Sequence, residues 1–299
     1  MRVVSLLPAA TDILAALGAA EMIVGITHEC DAPGLATTVP RVTSSLVHDA
    51  AAVAVDNHVR ELAASGTPLF QLDEARIAAA RPDLIITQAL CDVCAVSEVD
   101  VRLLAARLIP PPRILTLGAT TLDDVLHEIA MVSEAIGRAD EGVELLFGLQ
   151  ARLQTVHQTL TAAAAPCPRV AVIEWTEPLY AAGHWVPDMI RRAGAIDILS
   201  TTGTHSTTRT MRTLRDSAPD VVIIAPCGYG LERAAAEGRA MLNRTEWAWA
   251  LECSVWAVDA NAMISRPGPR LVDGIEALAR IFNPSRFSPL IAGRAIRLV

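Results

Sequence analysis

Residues 2–19 read RVVSLLPAATDILAALGA, and residues 169–195 read RVAVIEWTEPLYAAGHWVPDMIRRAGA. Each opens with Arg-Val and an apolar run, Arg2-Val3-Val4-Ser5-Leu6 in one and Arg169-Val170-Ala171-Val172-Ile173 in the other. Each closes on a matched segment, Thr11-Asp12-Ile13-Leu14-Ala15-Ala16-Leu17-Gly18-Ala19 and Pro187-Asp188-Met189-Ile190-Arg191-Arg192-Ala193-Gly194-Ala195. Downstream, a Pro-Asp step leads into a second buried run, Pro82-Asp83-Leu84-Ile85-Ile86 and Pro219-Asp220-Val221-Val222-Ile223-Ile224. Continuous β-branched runs of this kind suit parallel strands covered on both faces. Their alternation with helical stretches predicts βαβ units and an open, mostly parallel sheet. Three motifs repeated in the same order predict two similar α/β lobes. In the first copy, Val3 to Leu7 reads as a strand, Pro8 to Thr11 as a turn, and Asp12 to Leu17 as a helix closed by Gly18.

Between the copies lies a long helical stretch. Leu122, Val125, Leu126, Ile129 and Val132 recur at helical spacing after Thr120 and Thr121, and Gly137 breaks the run. A second stripe, Leu145, Leu149, Leu153, Val156 and Leu160, continues until Pro166 and Pro168 end it. About 25 residues rising 1.5 Å each give a rod of nearly 40 Å. The expected organisation is an N-terminal α/β lobe over 1–120, linking helices over 121–166 and a C-terminal α/β lobe over 167–299. A single connecting helix is expected to resist wide hinge closure.

Composition narrows the class. Of the 299 residues 52% are hydrophobic and 19% charged, which excludes disorder and allows a large core. No uninterrupted apolar stretch reaches the ~18 residues of a membrane-spanning helix. The net charge is −8 and no basic cluster stands out, which argues against nucleic acid as the main partner. All 25 basic residues are Arg, so no Schiff base or P-loop lysine is available. Met1-Arg2 and the apolar run after it imitate a secretory signal, but Asp12 interrupts that run and favours a folded strand and helix. A cytoplasmic protein is expected for the chain as written, and a periplasmic one if a leader has been removed.

In open α/β sheets, ligands sit outside the carboxyl ends of the strands, and two such lobes facing each other would form a cleft there. The loops expected to line it are 8–11, 27–33, 88–95, 174–187, 226–231 and 261–270. Cys30, Cys91, Cys94 and Cys227 fall on these loops. Cys91 and Cys94 form a C-x-x-C pair, whose thiolates can chelate a metal or close a redox disulfide. With Cys30 and Cys227 they could hold zinc or an iron–sulfur cluster. Equally, a cysteine serves as a small buried hydrophobe, and the spacing is that of neither a zinc ribbon nor a ferredoxin.

Glu174-Trp175 and Gly183-His184-Trp185 follow the first strand of the second copy. An indole can stack on a flat ligand, and His184 can ligate a metal, protonate a substrate or simply hold a packed loop. Arg266-Pro267-Gly268-Pro269-Arg270 leads into an apolar helix over Leu271 to Ile281. Free backbone N–H groups and two guanidiniums suit an anionic group there, unless Pro-Gly-Pro merely turns the chain. His48, His58, His127, His157 and His205 read as surface residues without partners, and Trp247, Trp249 and Trp256 as packing residues. No Ser-His-Asp constellation or phosphate loop can be read.

The succession SLLPAATDIL, GITHECD, RPDLIITQALCDVCA, the long middle helix, EWTEPLYAAGHWVPDMI, PDVVIIAPCG and SRPGPRLVDG resembles the helical-backbone (class III) substrate-binding proteins of ABC transporters, which bind cobalamin, siderophores and haem. The resemblance covers nearly the whole chain and leans to the branch described as cobalamin-binding proteins. It implies two Rossmann-like lobes with parallel central sheets joined by one long helix, with a shallow cleft that holds a small-molecule ligand without turnover. It implies cobalamin or another corrinoid as ligand and an ABC permease as partner. It also places Pro8, Thr11, His28, Trp185, Tyr229 and Arg270 on ligand-facing loops, to which the reading of the residues adds Glu174, Trp175, His184 and Arg266 as ligand-binding candidates. The competing expectation is a metalloenzyme or redox protein of the same fold, with Cys30, Cys91, Cys94 and Cys227 holding its metal.

Overall fold

A computed structural model describes residues 1–47, 52–65, 67–89, 96–162, 165–289 and 292–299. The chain divides into two compact units, one made of Met1–Ala119 with Asp124–Leu146, the other of Thr120–Asp123 with Phe147–Val299. In chain order the first unit contributes β1 (Val3–Ser5), α1 (Pro8–Ala16), β2 (Ile23–Ile26), α2 (Leu35–Thr38), β3 (Thr43–Ser45) and α3 (Ala52–Ser65). It continues with β4 (Phe70–Leu72), α4 (Glu74–Ala80), β5 (Leu84–Gln88), α5 (Glu98–Arg107) and β6 (Arg113–Leu117). Helices α6 (Leu122–Ala135) and α7 (Ala139–Thr161) follow. The second unit holds β7 (Arg169–Thr176), β8 (Leu179–Ala181), α8 (Val186–Arg192), β9 (Ile196–Asp197), β10 (Thr207–Thr208), α9 (Met211–Asp216) and β11 (Val221–Ile224). After them come α10 (Leu231–Leu242), β12 (Ser254–Val258), α11 (Ala260–Met263), α12 (Arg270–Phe282) and β13 (Ala295–Arg297).

The first unit has a wholly parallel sheet in the order β2-β1-β5-β6 and a small antiparallel pair, β3-β4. The second has the order β10-β8-β7-β11-β12-β13, with β9 beside β7. Its centre, β7-β11-β12, is parallel, and β8, β10 and β13 run antiparallel. Val3, Val4 and Ser5 face Leu84, Ile85 and Ile86 in one sheet, and Val170, Ala171 and Val172 face Val221, Val222 and Ile223 in the other. The apolar runs are buried on both faces, as their continuous β-branched character requires.

The repeated motifs perform the same physical task twice. The Arg2 N–H donates to the Asp83 carboxylate at 2.7 Å, and the Arg169 N–H donates to the Asp220 carboxylate at 2.8 Å. In return the Asp83 N–H donates to Arg2 O at 2.8 Å and the Asp220 N–H to Arg169 O at 2.9 Å. The arginine side chains reach past this pair, Arg2 Nε to Ala80 O at 2.7 Å and Arg169 Nε to Ala218 O at 3.3 Å. Each matched helix also ends alike. Ala19 N–H bonds Leu14 O and Ala195 N–H bonds Ile190 O, wrapping Gly18 and Gly194, which take φ of +67° and +87°.

Two expectations need correction. Helix α1 starts at Pro8 rather than Asp12, because a proline at the first helical position needs no donor and already has helical φ. Residues 174–187 do not form one loop: β7 runs on through Glu174 and Trp175, and a tight turn returns it as β8. The middle stretch matches its reading, with Gly137 at φ +75° separating α6 from α7. At 23 residues, α7 is about 34 Å long.

The strand-opening carboxylates are expected to contribute to stability despite their exposure, because each fixes the register of two buried strands. Asp83→Ala and Asp220→Ala should each lower the unfolding free energy by about 1 kcal/mol, read from urea denaturation. Unchanged midpoints for both variants would reject the role.

Candidate functional site

In the first unit the turns leaving β1 and β2 and the strands β3 and β4 enclose a small depression lined by Leu6, Pro8, Thr27, His28, Phe70 and Val96. It lies past the carboxyl ends of β1 and β2, where open sheets hold ligands. His28 is fixed by one hydroxyl. Its backbone N–H donates to Thr43 Oγ1 at 2.9 Å, and its ring Nδ1 stands 2.7 Å from the same oxygen. Thr43 Oγ1 gives its own proton to Thr27 Oγ1 at 3.1 Å. That proton being spent, Nδ1–H is the donor to Thr43, and Nε2 carries the lone pair.

Nε2 is buried and has no hydrogen-bond partner among the described residues. Burial and, second to it, the charge of Arg41 hold the His28 imidazole below its ordinary pKa, so the ring is neutral near pH 7. The Phe70 ring is 5.3 Å away, centroid to centroid. Thr43 and Phe70 were not legible as site residues. Thr43 is brought to His28 by the bridge of Arg41 and Val42 to Ile26 at the end of β2, and Phe70 by the pairing of β4 with β3, neither of which a local pattern announces.

Thr11 lies in a helix rather than on an open loop. It is fully buried in α1, and its hydroxyl donates to Ser5 Oγ at 2.8 Å, bracing the turn between β1 and α1. Cys30 is 2% exposed and packs as a small apolar side chain. Cys91 and Cys94 lie outside the described residues. Cys227, in the second unit, is a half-buried free thiol whose backbone N–H donates to Glu174 O at 3.0 Å. Among the described residues no group of three or more His, Cys, Asp or Glu could hold a metal ion.

In the second unit Glu174 and Trp175 end β7. The Glu174 carboxylate accepts from Ser206 Oγ at 2.6 Å. Burial pushes this carboxyl above the usual range, against the opposing pull of the hydrogen bonds from Ser206 and the Gly183 backbone. Trp175 meets the Tyr229 ring edge-on at 5.6 Å, and the Arg233 guanidinium lies 3.7 Å over that ring. The Trp175 indole N–H is buried without a partner among the described residues.

Trp185 is a core anchor rather than a stacking platform: it is 6% exposed, and its Nε1 donates to Ile264 O at 2.8 Å. Tyr229 is likewise buried. Arg266 is buried too, and Arg270 opens α12 half-buried, so Arg270 is the more accessible of the two. Trp247 and Trp249 stack on each other at 5.8 Å in the second unit's core, as their reading as packing residues predicted.

The histidine reading changes at one position. His127 and His157 are exposed, His58 is half-buried, and His48 lies outside the described residues. His205 is exposed yet has a partner: its Nδ1 lies 3.1 Å from His184 Nε2. Twenty-one residues separate the pair in the chain, so spacing gave no hint of it.

Two α/β units with parallel central sheets and polar groups at the carboxyl edges describe a class of ligand-binding protein, and the family can be stated. The chain matches the periplasmic binding protein family over residues 3–248 and belongs to it. Its fold is that of a periplasmic haem-binding protein from Pseudomonas aeruginosa (TM-score 0.75, 20% identity, 99% of this chain and 97% of that one). It is similar also to the periplasmic vitamin B12 binding protein BtuF of Vibrio cholerae (TM-score 0.64, 21% identity, 94% and 96%). A third likeness is to the periplasmic haem-binding protein RhuT from Roseiflexus sp. RS-1 in apo form (TM-score 0.68, 19% identity, 96% and 99%). No curated protein matches the chain. Among the described residues no helix is long and apolar enough to cross a membrane.

The raised Glu174 carboxyl has a pH signature. The folded chain keeps this proton at pH values where the unfolded chain has released it, so stability falls as pH rises through the interval above the ordinary carboxylate range. Asp197, pushed up to about 6 mainly by burial, adds a slope of the same sign. Glu174→Gln keeps an acceptor for Ser206 and removes the ionisation. The variant is therefore expected to lose less stability than the parent as pH rises above the ordinary carboxylate range, read from urea unfolding. Parallel stability curves would refute the assignment.

Proposed function

We propose that this chain is the substrate-binding component of an ABC transporter and carries a large metal chelate of the haem, corrinoid or siderophore type without altering it. Membership of the periplasmic binding protein family carries this reading. The haem and vitamin B12 binders of the same fold point to the ligand class. Cobalamin or another corrinoid is the first candidate, by the resemblance of the sequence motifs, and haem is the second. The partner is an ABC permease.

The residues suit such a guest. A planar or disc-like chelate needs apolar walls, a few directed polar groups and, at its metal, a neutral nitrogen or oxygen donor. The depression beside His28 supplies apolar contacts from Leu6, Pro8 and Phe70. The neutral His28 imidazole, with no hydrogen-bond partner for Nε2 among the described residues, supplies the donor. A buried acceptor left without a partner costs stability unless a ligand uses it.

Absorption titration of the full chain with cobalamin and, separately, with haem tests the reading. One of the two is expected to bind one molecule per chain with a shifted visible spectrum, and His28→Ala should weaken that binding about tenfold, or ~1.4 kcal/mol. No spectral change with either ligand, and none with ferric siderophores, up to about 100 μM would overturn the proposal.

A further inference from the structure

We propose that His184 and His205 form a two-histidine site for a free divalent cation of the nickel, copper or zinc type. This site takes the bare cation and does not depend on the chelate-binding reading above. Nothing in that reading uses His205.

The loops that carry the two rings are zipped together through their main chains. His184 N–H donates to Thr204 O at 2.6 Å, Gly203 N–H donates to His184 O at 3.0 Å, and Gly183 N–H donates to Ser206 Oγ at 3.1 Å. The approach is closed to any residue but glycine at 183, where a Cβ would lie 2.5 Å from both Ser206 N and Thr204 O. His184 itself takes φ of +53°, a left-handed backbone that non-glycine residues adopt only when their surroundings impose it. On its other side the chain is pinned by the Trp185 hydrogen bond to Ile264 O. The serine that ends the second loop is held in turn by Glu174. The two loops are thus held together before any ligand arrives, and the rings they carry keep their rotation about the side-chain bonds.

Their spacing fits a shared cation. With bonds of about 2.0–2.1 Å, two nitrogens on one metal stand roughly 2.9 Å apart at right angles and about 3.4 Å apart at the tetrahedral angle. Nε2 of His184 and Nδ1 of His205 are 3.1 Å apart, between those limits. The rings are perpendicular, with centroids at 5.1 Å, so a modest rotation turns both lone pairs to one point. Imidazole suits nickel, copper and zinc.

In the cation-free pair one proton bridges the two nitrogens. On binding, the ring that carried it moves it to its other nitrogen, so both facing nitrogens offer lone pairs and a neutral pair releases no net proton. Water completes the coordination, since no third protein ligand stands near among the described residues.

The experiment is calorimetric titration of the chelator-stripped full chain with nickel chloride. One nickel per chain is expected, and His205→Ala should weaken it at least about tenfold, a loss that even outer-shell changes produce at metal sites. His157→Ala, which removes an exposed histidine of α7, should leave it unchanged. Electron paramagnetic resonance of the copper-loaded protein should show two imidazole nitrogens in the parent and one in His205→Ala. A parent that takes no nickel, or a His205→Ala variant of unchanged affinity, overturns the site. Because no chelate is present, failure here leaves the transporter reading untouched, and failure of that reading leaves this site untouched.

Discussion

Everything in this fold hangs from the way each sheet's first strand is tied to its neighbour. The Arg2 amide is fastened to the Asp83 carboxylate and the Arg169 amide to the Asp220 carboxylate, with the return main-chain bonds closing both pairs. A parallel pair buried on both faces has no solvent side to correct a slipped register. A charged acceptor on a backbone N–H supplies the missing specificity at the strand's entry. With the entries aligned, the exits align as well, and the turns that follow β1, β2, β7 and β11 emerge at the carboxyl edges. The position of the candidate sites is thus a consequence of the strand openings at the opposite end.

At those edges the two units have diverged. The first keeps a wholly parallel sheet and builds its site from turns covered by the β3-β4 pair, with one threonine hydroxyl orienting His28. The second adds antiparallel strands on both sides of its parallel centre. The turn from β7 into β8 carries the chain back toward Gly183, and β10 follows the loop of His205 and Ser206. These added strands bring His184, His205 and Glu174 into one network, with no equivalent among the described residues of the first unit. Duplication explains the frame, and the insertions explain the chemistry.

Much of the candidate site was readable. His28, Glu174, Trp175 and His184 were singled out by residue type and by their place after apolar runs, and the structure sets them at strand ends. The resemblance set Thr11 and Trp185 on open loops, whereas the structure buries both, because a hydroxyl and an indole are stable inside once Ser5 and Ile264 accept their hydrogen bonds. His205 was passed over as a solitary surface histidine. Its role depends on a contact across 21 residues of chain, beyond the reach of any helical or strand period.

By itself, then, the sequence determined the duplicated βαβ frame, the buried strands and the long helix α7, because burial on both faces and helical spacing leave their mark on consecutive residues. Tertiary structure alone decided which polar side chains look inward and which meet one another. Thr43 reaches His28 across a parallel bridge, and Ser206 reaches Glu174 and His205 reaches His184 beside an antiparallel pair, and such meetings of distant segments write nothing into the composition of the segments they join.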